Sequence, residues 1–264
     1  MLNHDLSSMK VSAAASRIGS LLVIFLFQVF GTVLVAGPLP YSMRSWEAHA
    51  TRNPETCWKC SYPFFSGTYE ALMINQALLF AVTGVNPAKP HGPVSLETAS
   101  RSFIKEFEEF LKDEPEAMPW FTTTTGAVVL NRSGLVTVSL ATGSYTGGAH
   151  GMESIGYYVF DAATGRRLTL EDIMVQGYQS RLDALIERRF RQDKGLKPGE
   201  PLNGDNGGLF DNVIRHNDNF AITDSGITFL YNPYEIAPYV FGQIAIELKW
   251  AEIRTLVKRQ YILM

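Results

Sequence analysis

The most constraining feature of this 264-residue chain is an uncharged, strongly apolar run of nineteen residues, 18–36. As an α-helix the run would be roughly 28 Å long, which is about the thickness of the hydrocarbon core of a bilayer. Lys10 and Arg17 precede it, and positive flanking residues favour the cytoplasmic side of a membrane. We therefore expect residues 1–17 to be cytoplasmic and everything after Gly37 to lie outside the cytoplasm.

The apolar run is either a cleaved signal peptide or an uncleaved transmembrane anchor. Cleavage after Ala36 would place Leu34, which is not a small residue, at the −3 position, and cleavage after Gly37 would place Pro38 directly after the cut. Because neither site suits a signal peptidase, the sequence favours a single-pass anchor through residues 18–36. The expected location is the bacterial cell envelope, or the periplasm if the run is removed.

Composition and motifs exclude several classes of function. A net charge of −3 and a pI near 6.0 do not suit a nucleic-acid surface. The chain has no GxSxG elbow, no Walker-type loop, no GxGxxG after a strand and no HExxH. Its five histidines lack the spacing of a metal site. We therefore expect no nucleic-acid partner, no cofactor, no metal and no catalytic residue.

Cys57-Trp58-Lys59-Cys60 is a CxxC pair with three alternative roles. A thioredoxin-like site needs the first cysteine at a helix N-terminus, whereas Pro63 follows here in a strand-like run. A zinc site needs two further ligands, for which His49 is a weak candidate. In the oxidising compartment expected above, a small structural disulfide between Cys57 and Cys60 is favoured.

Hydrophobic periodicity and turn signals alternate along the rest of the chain, which predicts an α+β fold. Ser95 is placed as the N-cap of a helix, and Thr169–Asp172 has the pattern of a capping box. Asn131–Gly134 and Thr223–Gly226 are typical of hairpin turns. We expect helices packed on antiparallel sheets, in two consecutive subdomains after the N-terminal segment. The predicted helices cover residues 69–82, 94–113, 182–190 and 250–258, and the predicted strands cover residues 126–130, 135–140, 157–160, 220–222, 227–231 and 244–248.

The segment Tyr145–Gly151 is a first candidate binding site. Its three glycines in seven residues permit positive φ angles and a close approach of the backbone to a ligand. His150 could bind that ligand, act as a base, or hydrogen-bond the carbonyl groups of its own loop. We take Tyr145, Gly147, Gly148 and His150 as candidate ligand-binding residues.

The segment Tyr231–Gly242 is a second candidate, rich in tyrosine and proline and with one carboxylate. Rigid tyrosines are good contact residues because they offer a large area at a small loss of entropy. Packing beneath a sheet is an equally frequent use of such residues. Tyr234, Glu235 and Tyr239 are the candidate ligand-binding residues of this segment.

Four segments in this order closely resemble the extracytoplasmic module of RsiV-like proteins: YTGGAHG (145–151), FDAATGRRLTLEDI (160–173), Asn219–Phe229 and NPYEIAPYVFG (232–242). That module pairs a PdaC-type N-terminal domain with a C-terminal domain of unknown function. The resemblance covers about residues 61–258. The implied regions are a linker with the CxxC pair over 37–60, a PdaC-type domain over 61–151 and an RsiV C-terminal-type domain over 152–258.

The resemblance implies a limited function. In the RsiV branch the module faces outward and binds lysozyme, and a separate cytoplasmic domain controls a sigma factor. The seventeen residues before the apolar run are too few to fold around a sigma factor, so we do not expect that signalling role. In the PdaC branch the module accompanies a polysaccharide deacetylase domain, whose metal-binding motifs are not found in this chain. The binding or sensing module remains, without catalytic residues to carry over.

We therefore expect a non-catalytic, envelope-exposed module that binds a lysozyme-like protein or a cell-wall glycan. One alternative is a cell-wall hydrolase that uses His150 with Glu153 for proton transfer. Another is an accessory subunit of an envelope complex that presents Tyr234 and Tyr239 to its partner. A thiol oxidoreductase built on the CxxC pair is the least favoured.

Overall fold

The structure is a computed structural model that describes residues 37–85 and 94–263. The described residues belong to one compact unit. Within the described residues, no helix combines the length and the apolar composition that crossing a bilayer requires. The expected cytoplasmic residues 1–17 and the expected anchor or signal peptide 18–36 lie outside the described residues.

Helices and strands are interspersed along the described residues, which confirms the α+β class. In chain order the strands are β1 (Tyr41–His49), β2 (Cys57–Phe65), β3 (Phe121–Arg132), β4 (Leu135–Tyr145), β5 (Met152–Asp161), β6 (Phe220–Ile222), β7 (Gly226–Tyr231) and β8 (Ile244–Lys249). The helices are α1 (Tyr69–Thr83), α2 (Leu96–Phe110), α3 (Leu170–Ile173), α4 (Gln179–Lys194) and α5 (Trp250–Ile253).

Local sequence signals set the ends of several elements. The Ser95 side chain caps α2 by accepting a backbone hydrogen bond, and Gly84 ends α1 with a φ of 69°. Thr169 and Asp172 form the expected capping box at α3. The turn Ser133–Gly134 between β3 and β4 has φ angles of 55° and 76°, which is the type I′ pattern that matches the twist of a hairpin.

The first sheet has the strand order β1-β2-β3-β4-β5. Its neighbours pair antiparallel except β2 and β3, which run parallel. Because α1 and α2 lie between β2 and β3 in the chain, they form the crossover that a parallel pair needs. The expectation of purely antiparallel sheets is therefore wrong for this sheet. The second sheet, β6-β7-β8, is antiparallel throughout.

Two hydrophobic cores lie on the two faces of the first sheet. Phe160 of β5 belongs to the core shared with α1 and α2, where Ile74 is fully buried. The neighbouring residue Val159 belongs to the core shared with α4 and the second sheet, where Phe229 is fully buried. Adjacent residues of a strand point to opposite faces, so the middle of the first sheet is covered on both sides.

Two expected ranges differ from the observed elements. Residues 37–60 form no linker, because β1 pairs with β2 along its whole length. The first sheet extends past residue 151, because β5 pairs with β4 and ends at Asp161. The expected closing helix over 250–258 ends at Ile253.

The expected disulfide between Cys57 and Cys60 is wrong. Both residues lie on β2, where a separation of three residues points the side chains to opposite faces and places the Cα atoms about 10 Å apart. A disulfide requires a Cα–Cα distance below about 7 Å, and both thiols are free and buried. Burial raises the pKa of both thiols, that of Cys60 to about 11. Neither thiol is therefore activated for redox chemistry.

Candidate functional site

Three aromatic side chains from two distant loops meet on the surface. The ring of His150 lies 4.4 Å from that of Tyr239 and 6.4 Å from that of Tyr234, with interplanar angles of 30° and 19°. The two tyrosine rings are 5.6 Å apart. We call His150, Tyr234 and Tyr239 the aromatic cluster. It brings together candidates from both segments that the sequence singled out.

The loop between β4 and β5 positions His150. Gly147 and Gly148 have φ angles of 101° and 95°, a conformation that residues with a side chain rarely adopt. The Tyr145 hydroxyl donates to the Gly148 carbonyl at 3.0 Å, and the Tyr145 ring stacks on Phe121. Tyr145 and the two glycines therefore shape the loop, and His150 is its exposed aromatic group.

The loop between β7 and β8 presents the two tyrosines. Tyr234 has a φ of 67°, and a left-handed backbone at a bulky residue is an uncommon feature that points to a role for its position. The two carboxylate oxygens of Glu235 accept hydrogen bonds from the Asn232 backbone amide at 2.9 Å and the Asn217 side chain at 2.7 Å. The candidate ligand residue Glu235 therefore stabilises this turn.

Asn232 fixes the second loop against the first sheet. Its side chain accepts from the Ile155 amide at 2.8 Å and donates to the Ile155 carbonyl at 3.1 Å. The Tyr239 hydroxyl donates to the Gly151 carbonyl at 3.3 Å, which ties the two loops together. The sequence pattern missed Asn232, because an asparagine before a proline indicates a turn and gives no sign of the strand that it contacts.

A surface cleft of about 740 Å³ adjoins the aromatic cluster. Tyr234 is 50% exposed, Val240 is 84% exposed and Tyr239 is partly buried. Of the tyrosines in this segment, Tyr231 is the one buried in the core. A contiguous exposed apolar surface is informative because single domains usually bury such groups. The cleft is lined mainly by prolines and aromatic or aliphatic groups, with one carboxylate and one amide: Glu153, Pro233, Tyr234, Pro238, Tyr239, Val240, Gly242 and Gln243.

Both ring nitrogens of His150 have neighbours. Nδ1 lies 2.8 Å from the Gly151 carbonyl, to which it donates, and Nε2 lies 3.5 Å from the Tyr234 hydroxyl. In the part of the chain that the structure describes, no carboxylate hydrogen-bonds His150, and no group of three or more His, Cys, Asp or Glu side chains is placed to hold a metal ion. The geometry suits stacking and van der Waals contact, with Glu153 as the charge at the cleft.

Fold and site together define a two-sheet α+β module with an exposed aromatic cluster. Two family models match consecutive parts of the chain: Deacetylase PdaC over residues 50–153 and Protein of unknown function (DUF3298) over residues 171–251. The chain therefore carries PdaC-type and DUF3298-type domains in tandem. His150 falls in the first match and both tyrosines of the cluster fall in the second, so the two domains build the cluster jointly.

Solved structures share this fold. A member of the DUF3298 family from Bacteroides fragilis has a TM-score of 0.70 at 22% identity, covering 85% of this chain and 95% of its own. A DUF3298 family protein from Pseudomonas aeruginosa has a TM-score of 0.63 at 21% identity, covering 86% of this chain and 98% of its own. Likeness at these identities concerns the fold alone. No curated protein matches the sequence significantly.

Proposed function

We propose that this protein is a non-catalytic binding or sensing module of the bacterial cell envelope, and that the aromatic cluster is its contact site. The observation that carries the proposal is the meeting of His150, Tyr234 and Tyr239 on an exposed surface beside Val240. The apolar run 18–36 supports a place in the envelope. The resemblance to RsiV-like modules supports a lysozyme-like protein or a cell-wall glycan as the ligand.

The aromatic cluster has the properties of a binding hot spot. Tyrosine is enriched at hot spots because its large, stiff ring contributes contact area and a hydroxyl group. The Tyr239 ring is already held by the Gly151 carbonyl and by the His150 ring, so little rotamer freedom remains to be lost on binding. A ligand surface that covers the cluster would also remove the exposed Val240 side chain from water.

A binding experiment with matched tyrosine variants tests the proposal. A fragment of residues 37–264 holds both cores of the compact unit and is titrated by calorimetry with a c-type lysozyme and with soluble peptidoglycan fragments. We expect one of the two to bind, and Tyr239→Ala to weaken that binding by about tenfold or more, as loss of a hot-spot residue does. Tyr69→Ala removes a ring on α1 that is 73% exposed and does not line the cleft, and it serves as the control with unchanged affinity.

Two outcomes would contradict the proposal. The first is the absence of binding by either ligand to a fragment that circular dichroism shows to be folded. The second is an equal loss of affinity in Tyr239→Ala and Tyr69→Ala. Release of acetate or sugar fragments from the peptidoglycan sample, abolished by His150→Gln, would instead support the cell-wall hydrolase.

A further inference from the structure

The exposed apolar side chains of α1 are concentrated at its beginning. Tyr69 is 73% exposed, Leu72 57% and Met73 44%, and the only charged residue in the helix is Glu70. Tyr41, at the start of β1, is 48% exposed. We call Tyr41, Tyr69, Leu72 and Met73 the apolar rim. The next exposed position of α1, Gln76, is polar.

The apolar rim lies where the chain enters the compact unit. The Asn131 side chain clamps Leu39, accepting from its amide and donating to its carbonyl, both at 2.8 Å. The Pro40 carbonyl accepts from the Ser66 amide at 2.9 Å, and Ser66 is three residues before Tyr69. The start of α1 is therefore held beside the entry point, and the entry point is fixed to the sheet.

The segment that joins the apolar run 18–36 to this entry point is short. Only Gly37 and Pro38 lie between Leu39 and the end of the run 18–36, and the three Cα–Cα steps from Ala36 to Leu39 reach at most about 11 Å. If the run enters a bilayer, the clamped Leu39 keeps the rim within reach of the lipid headgroups. Leucine and methionine side chains gain from leaving water there, and tyrosine is enriched at that level of membranes.

We propose that the apolar rim rests on the surface of a lipid bilayer. The rim is too small for a stable contact between two copies, which takes about 20–30 residues on each side. A weak lipid contact is sufficient, because a tether of a few residues gives it a high effective concentration. The contact would hold the module in one orientation on the membrane. This inference goes beyond the proposed function and shares with it only the location in the envelope.

The test tethers the folded fragment to lipid by its N-terminus. Residues 37–264 with an N-terminal hexahistidine tag are bound to phosphatidylcholine vesicles that contain a nickel-chelating lipid. The variant Leu72→Cys carries a thiol-linked fluorophore whose emission depends on polarity, and Gln192→Cys on the exposed side of α4 is the matched control. The buried native thiols are checked with the unsubstituted fragment.

We expect the label at Leu72 to shift to the blue on vesicles and to be quenched by headgroup-level spin-labelled lipids about threefold more than the label at Gln192. Met73→Cys should report the same contact and serves if Leu72→Cys does not fold. Equal emission and equal quenching at Leu72 and Gln192 would overturn the proposal. A dimer in light scattering, with the label shielded in the absence of vesicles, would also overturn it. The ligand titrations contain no lipid, so the two proposals fail independently.

Discussion

At the scale of single residues, two asparagines close the outer edge of the first sheet. β5 is the last strand of this sheet, so part of its backbone N–H and C=O groups point away from β4. Asn219 accepts from the Tyr157 amide and donates to the Ile155 carbonyl, both at 2.8 Å. Asn232 accepts from the Ile155 amide. Side-chain amides thus take the place of a sixth strand.

We predict that Asn219→Ala lowers the free energy of unfolding by about 2 kcal/mol, because it leaves part-buried backbone groups of β5 without partners. Asn203→Ala, at an exposed position, should change it by less than about 0.5 kcal/mol. Urea denaturation of both variants measures the difference. An effect of Asn219→Ala as small as that of the control would show that water satisfies the edge equally well.

The residue scale also shows where prediction from sequence ends. The sequence identifies His150 and Tyr239 as candidates, yet 88 residues lie between them. Their contact depends on long-range hydrogen bonds such as that of Asn232 to Ile155. Glu235 is predicted as a ligand group because it is the one carboxylate of an aromatic segment. Its actual hydrogen-bond partners are a loop amide and an asparagine side chain, a use that no local pattern indicates.

At the scale of elements, short-range signals succeed and long-range pairing does not follow from them. The Ser95 cap, the Thr169 capping box and the Ser133–Gly134 turn involve residues within four positions of one another. β1 escapes prediction because nearly all of its residues are exposed, so it lacks the alternation that marks a half-buried strand. The parallel pairing of β2 with β3 depends on a crossover through two helices, and no turn motif in the sequence predicts such a crossover.

We predict that Asp172→Ala destabilises the protein by about 1–2 kcal/mol at neutral pH, because it removes the capping box of α3 and a two-point ion pair with Arg166. The Arg166 guanidinium and the Thr169 amide hold the pKa of the Asp172 carboxyl well below its usual range. A lowered folded-state pKa stabilises above the unfolded pKa of about 4, and this contribution is lost as the pH falls below it.

Urea unfolding of the wild type and of Asp172→Ala at pH 7 and pH 3 checks this prediction, and the gap between the two proteins should narrow at pH 3. Asp193→Ala breaks an exposed ion pair with Arg189 on α4 and should have an effect below about 0.5 kcal/mol. A gap for Asp172→Ala that is independent of pH would assign its effect to the helix cap alone.

At the scale of the whole molecule, the two matched domains share a core. Leu135 and Val159 of the first sheet are buried in the same cluster as Phe229 of the second sheet. The buried Thr137 hydroxyl of β4 donates to the Ile222 carbonyl of β6 at 2.9 Å. Each sheet therefore needs the other to bury its apolar side chains. The sequence does not indicate this shared core, because its turn and capping patterns are local to each domain.

We predict that a fragment of residues 37–161 does not reach a native state, because it exposes Leu130, Leu135 and Val159 on a whole sheet face. The fragment of residues 37–264 should unfold in one transition that is the same by circular dichroism and by tryptophan fluorescence. Proton NMR of the shorter fragment checks the prediction. Dispersed, native-like amide signals from it would show that the first sheet folds independently.

The hydrogen bonds from Asn219 and Asn232 to β5 have a consequence for assembly. With the outward-facing groups of Ile155 and Tyr157 occupied, a guest strand is expected to join this sheet beside β1, its other terminal strand. A sheet with a single open side accepts one visiting peptide or pairs with one sibling molecule. We therefore expect edge pairing through this sheet to favour closed pairs over a filament.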